Sequence, residues 1–156
     1  MMTKDIPWYG ELYLLFKVFL SLVAGGVIGW EREKVGKEAG IRTFGFMCAG
    51  ACSFSVLAEI FSPDAAARII ANIVVGVGFI GGGLIYRVSE RGASAHGLTT
   101  ASSLWVTATV GVMIGLELYF LAMGTIILTL TVLHIPSSKI WVHLSEKKKK
   151  NNLTEQ

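Results

Sequence analysis

A chain of 156 residues that is 53% hydrophobic and 16% charged, with a mean hydropathy of +0.59, has too little polar surface for a soluble domain of its size. Fourteen Lys and Arg against eleven Asp and Glu leave a net charge of +3, and the one dense basic run is Lys147–Lys150, so no nucleic-acid partner is expected. Disorder, collagen and a disulfide-stapled secreted fold are excluded, and Cys48 and Cys52, inside an apolar segment, read as small buried residues.

Residues 1–11 read as an external N-terminal segment. From Leu12 to Trp30 the chain is apolar except for Lys17, long enough to cross a hydrocarbon core of about 30 Å. Lys17 lies near the outer end, where a lysine can snorkel to the interface. A second span covers 43–61 and is broken by Ser62-Pro63-Asp64. A third, 69–86, ends in the polar connection from Arg87 to Gly92. The stretch 97–135 carries one formal charge, Glu117. As one helix it would reach roughly 58 Å at about 1.5 Å per residue, about twice the core thickness, so it must fold back. The break falls at Gly115-Leu116-Glu117, giving spans 97–115 and 118–135. Residues 136–156 read as an interfacial turn around Ile140, Trp141 and Leu144 followed by a polybasic cytoplasmic tail.

The expected fold is thus an all-α integral membrane protein, a compact bundle of about five transmembrane helices over 12–135. Basic residues alternate between its sides. Arg32, Lys34, Lys37, Arg42, Arg87, Arg91, Lys139 and the lysine run fall on one side, whereas Lys4, Lys17 and Arg68 fall on the other among acidic residues. The enrichment of Lys and Arg in cytoplasmic connections then puts the N-terminus outside and the C-terminus in the cytoplasm.

Several polar and small residues stand out inside this apolar frame. Gly76-Val77-Gly78-Phe79-Ile80-Gly81 matches the dinucleotide fingerprint by letter but lies inside a span, not between a strand and a helix. Gly76, Gly78, Gly82 and Gly83 suit close helix packing or, alternatively, an unwound segment exposing carbonyls to an ion. Asn72 shares a helical stripe with Gly76 and Gly83 and is expected to face protein, with Thr99, Thr100, Ser102, Ser103 and Thr107 as interhelical partners. Thr99, Ser103, Thr107, Gly111 and Gly115 recur at i+4 as a small-residue groove, and Gly25 and Gly29 form another. In the loop after the first span, Glu31 and Glu33 could bind a hard cation, and Arg42 could pair with a carboxylate or lipid phosphate. Arg68 suits an anchor at the start of the third span. The three histidines lack metal-ligand spacing, and no nucleophile, base and orienting group assemble, so neither an enzyme nor a cofactor is expected, and metal binding stays open.

Three blocks resemble the MgtC/SapB family of bacterial inner-membrane proteins: Gly29-Trp30-Glu31-Arg32-Glu33 continuing to Ala39-Gly40-Ile41-Arg42-Thr43; Arg68 through Asn72 to Gly76–Gly83; and His96-Gly97-Leu98-Thr99-Thr100-Ala101-Ser102-Ser103-Leu104-Trp105. The resemblance covers roughly residues 12–134, within the span limits set by membrane thickness. It implies a multi-pass protein linked to adaptation at low magnesium and, in some members, to virulence and restraint of the ATP synthase. It places the family's polar motif on Glu31, Arg32, Arg42, Thr43, Arg68, Asn72, Thr99 and Thr100. Asn72 stands where the family commonly has glutamine, and His96 where it has arginine. Two functions follow as expectations. One is a non-enzymatic regulator touching another inner-membrane complex such as the ATP synthase. The other is a small transporter or channel for magnesium or protons, built as a homo-oligomer because five spans make a small pore.

Overall fold

The computed structural model describes residues 7–61, 63–90 and 97–135, with the backbone alone at 59, 61, 63, 65 and 86–90. Five helices follow one another: α1 Trp8–Lys34, α2 Ile41–Phe61, α3 Pro63–Glu90, α4 Leu98–Gly115 and α5 Tyr119–His134. Among the described residues there is no strand. α1, α2 and α3 contain the spans expected at 12–30, 43–61 and 69–86 and extend beyond them, while α4 and α5 fall one and two residues short of 97–115 and 118–135. α1 starts at Trp8, so the last residues of the segment assigned to 1–11 are helical, and α3 starts at Pro63, where proline's missing N–H costs a helix nothing. The interfacial turn and basic tail of 136–156 lie outside the described residues.

Among the described residues four helices are long and apolar enough to cross a membrane, and α5 is a shorter apolar helix. Its 16 residues rise roughly 24 Å. The three residues 116–118 turn α4 into α5, and Glu117 adopts a left-handed backbone there with φ 63°. α2 is the central element, packed against α1, α4 and α3, while α5 touches only α4 and α1.

Small residues let the central helices meet backbone to backbone. A Cβ on Gly25 would strike Phe44 O and Cys48 Cβ, and one on Gly29 would lie 2.7 Å from Gly40 O. On α4, a Cβ on Gly111 would strike Cys48 O, and one on Gly115 would lie 2.6 Å from Ser55 Cβ. α2 is therefore clamped between glycine faces of α1 and α4, the geometry that substitutes for a hydrophobic driving force in lipid. Both cysteines are fully buried in this seam as free thiols. Many large apolar side chains, Phe19, Phe79, Phe120 and Leu128 among them, are exposed, while Ile28, Phe44 and Leu104 are buried. That much apolar exposure is what a hydrocarbon solvent permits.

α3 differs from the other long helices. Only 11% of its apolar window is buried in the bundle, against 56% for α4. A Cβ on Gly76, Gly78, Gly82 or Gly83 would meet nothing within 4 Å. The expectation that these glycines pack a neighbouring helix is corrected within this chain: α3 turns toward the bundle through Val77 and Gly81, the latter facing Ala101, while Gly76 borders a groove toward α2 and Gly78, Gly82 and Gly83 are open. The alternative of an unwound segment is also set aside, because α3 is continuous helix through 76–83.

Candidate functional site

The inward face of α1 reads Lys17, Ser21, Gly25, Ile28, Gly29 and Arg32, a run at i+3 and i+4 that is buried throughout. Its two charged residues sit roughly 22 Å apart at about 1.5 Å per residue. Both reach α4, which runs antiparallel to α1. Arg32 meets the first turn of α4 and Lys17 meets the last.

At the Arg32 end, Nη2 donates to Thr100 Oγ1 at 2.7 Å, and the arginine is 5% exposed. Its Nε is buried without an acceptor. The flanking carboxylates serve other helices. Glu33 Oε2 accepts the Ile41 N–H at 3.1 Å, capping the start of α2, and it packs on Gly40. Glu31 Oε1 lies 3.6 Å from His134 Nδ1 at the end of α5, an ion pair whenever that imidazole is protonated. Lys34 stacks on Trp30, with Nζ 3.9 Å from the ring centre. Glu31 and Glu33 are thus spent on α5 and α2 separately, which corrects their expected pairing around one hard cation. Among the described residues no three His, Cys, Asp or Glu gather as metal ligands.

At the other end, Lys17 is 1% exposed and donates from Nζ to Gly115 O at 3.0 Å. The same ammonium lies 2.8 Å from Glu117 Oε1 and 5.3 Å from the Tyr13 ring centre. Tyr13 OH donates to Glu117 Oε1 at 3.3 Å and lies 3.1 Å from Tyr119 OH. The reading of Lys17 as a snorkelling side chain is therefore corrected: the residue turns inward and binds the α4–α5 turn. The carbonyls closing α4 have no intrahelical donors, and a cation there also meets the negative end of the helix dipole. Sequence reasoning passed over Tyr13, Lys17, Glu117 and Tyr119 as a group. The available signal was the i+4 series Lys17, Ser21, Gly25, Gly29, which puts the lysine on the packing face.

The remaining motif residues do not join either cluster. Arg42, Thr43 and Thr99 are exposed at the starts of α2 and α4, and Arg68 and Asn72 are exposed on α3. Asn72 therefore does not face the fourth span, contrary to expectation; it lines an apolar groove of about 830 Å³ between α2 and α3, with Thr43, Phe46, Phe54 and Ile80. Of the α4 hydroxyls expected to bond between helices, Thr100 does so, accepting from Arg32 of α1, whereas Ser102, Ser103 and Thr107 donate to carbonyls of their own helix, as Ser21 and Ser55 also do.

A sequence profile described as the MgtC family matches residues 18–138. The chain is 37% identical over 130 residues to YhiD of Escherichia coli, named a candidate magnesium transporter, covering 78% of this chain and 59% of that one. It is 39% identical over 124 residues to the protein MgtC of Salmonella typhimurium, covering 77% and 52%. With SrpB of Synechococcus elongatus it shares 33% identity over 140 residues, covering 81% and 77%. The chain thus spans between half and three fifths of the length of the first two relatives. No solved structure matches.

Proposed function

The chain belongs to the MgtC family of multi-pass inner-membrane proteins, and from that premise we propose that it is a non-enzymatic regulator in magnesium homeostasis, acting through intramembrane contacts with another membrane complex. The magnesium link rests on the names and family of the relatives. The regulator reading rests on one observation: Gly78 and Gly82, one turn apart on α3, have nothing of this chain within 4 Å of where a Cβ would stand. Glycines facing lipid gain nothing there, whereas a partner helix can approach them closely. We read the end bearing Arg32, Lys34, Lys37 and Arg42 as cytoplasmic, from the bias of basic residues.

The second reading, a magnesium or proton transporter formed by an oligomer, is favoured by the name given to the Escherichia coli relative and by Asn72 lining the α2–α3 groove. Flux assays in proteoliposomes separate the two. The regulator reading expects no magnesium or proton flux above empty liposomes from folded protein, together with loss of low-magnesium growth support in Gly82→Leu at unchanged stability. Flux that Asn72→Leu abolishes overturns it in favour of transport.

A further inference from the structure

We propose that Arg32 and the first turn of α4 form a binding site for a phosphate-type oxyanion at the membrane boundary. The guanidinium is 5% exposed, yet its hydrogen-bond partner is a neutral hydroxyl, Thr100 Oγ1, and its Nε has no acceptor. Glu33 accepts the Ile41 N–H and Glu31 lies against His134, so Glu31 acts on Arg32 through space and not through a direct contact. Among the described residues no carboxylate lies within ion-pair distance of Arg32. A buried charge with no carboxylate in direct contact is a costly arrangement, and it is relieved by an anion held in place.

The same spot offers the other half of an anion site. α4 starts at Leu98 after Gly97, which has no side chain with which to cap it. The first N–H groups of a helix and its positive dipole end favour an oxyanion, and a planar guanidinium offers a fork of donors matched to phosphate. Leu98 and Thr99 are exposed, so the side of this turn is accessible beside the buried arginine. Its depth points to phosphate over a partner's carboxylate. Trp30, with Lys34 stacked on it, precedes Arg32 by half a turn, and an aromatic paired with a lysine marks the headgroup level.

The test uses the full chain, purified in a neutral detergent and in phosphatidylcholine nanodiscs with or without phosphatidylglycerol. Thermal unfolding is followed by tryptophan fluorescence. Inorganic phosphate is titrated in the detergent arm, and phosphatidylglycerol content is varied in the other. A rise in the unfolding midpoint with phosphatidylglycerol alone assigns the site to a lipid headgroup. A rise with both assigns it to phosphate in general, and a rise with inorganic phosphate alone to the free ion. In each supporting case Arg32→Lys weakens the apparent affinity about tenfold, the loss of one charge-assisted hydrogen bond. Lys37→Gln, in the neighbouring loop, leaves it unchanged. Should Arg32→Lys not fold, Thr99→Glu, at an exposed position, sets a carboxylate at the mouth and abolishes the gain. No midpoint change with either anion source overturns the proposal, the result expected if a protein carboxylate serves Arg32. A gain lost equally in Lys37→Gln, or kept in Thr99→Glu, also overturns it.

Discussion

At the residue scale, Lys17 is unusual chemistry for a membrane helix: an ammonium fully enclosed, with a helix-terminal carbonyl and a carboxylate among its partners. Removing one member of such a pair is not symmetrical. Glu117→Gln takes a carboxylate at 2.8 Å away from a buried ammonium, whereas Lys17→Met removes the charge and keeps most of the volume. Glu117→Gln is expected to destabilise more than Lys17→Met, and a double-mutant cycle should give a coupling of about 0.5–3 kcal/mol by denaturant titration in detergent. Acid gives an independent check. The hydrogen bond and charge of Lys17 hold the Glu117 carboxyl below the usual carboxylate range. A group with a lowered folded-state pKa contributes stability above its unfolded value and loses it as pH falls through the folded one. The gap between wild type and Glu117→Gln should therefore be level above about pH 4 and close in stronger acid. A gap unchanged by acid would place the stabilisation elsewhere. Glu117 also holds its left-handed turn although it is not glycine, and its ties to Lys17 and Tyr13 offset that backbone cost.

At the scale of elements, identical residues have opposite roles on α4 and α3. Gly111 faces Cys48 O and Ala51 with no room for a methyl group, while Gly82 faces open space. Gly111→Val should cost about 1–3 kcal/mol or more, because two backbones must separate. Gly82→Ala should be neutral or stabilising by about 0.5–1 kcal/mol, the ordinary helix preference for alanine. Unfolding measured side by side distinguishes these glycines. Equal losses would show that α3 has a packing partner in the isolated protein. The sequence identified both glycine series but not which was internal, because an i+4 pattern defines a face of a helix and not what the face meets. Hydropathy is equally silent there, since a lipid-facing stripe and a protein-facing stripe are both apolar.

At the scale of the molecule, the seam of α1, α2 and α4 is closed by backbone contacts and self-bonded hydroxyls, and α3 forms a lightly held outer element. That division favours contact over conduction. A reporter fused to the C-terminus should be active in the cytoplasm if the basic end faces inward; activity only outside would reverse the proposed orientation.

Composition and span length by themselves determined the number of helices, their approximate limits and the sharp reversal at Glu117, because hydrocarbon thickness and backbone hydrogen bonding leave few ways to place so apolar a chain. The family blocks were equally legible as strings of residues. Only the tertiary structure decided which of their side chains meet. It joined Arg32 of the first block to Thr100 of the third, left Asn72 of the second outside, and turned Lys17 inward onto α4. The physical reason is that a polar side chain in a membrane helix is satisfied by whichever neighbour lies at its depth. The pairing of depths depends on how helices distant in sequence come together, here α1 against an antiparallel α4.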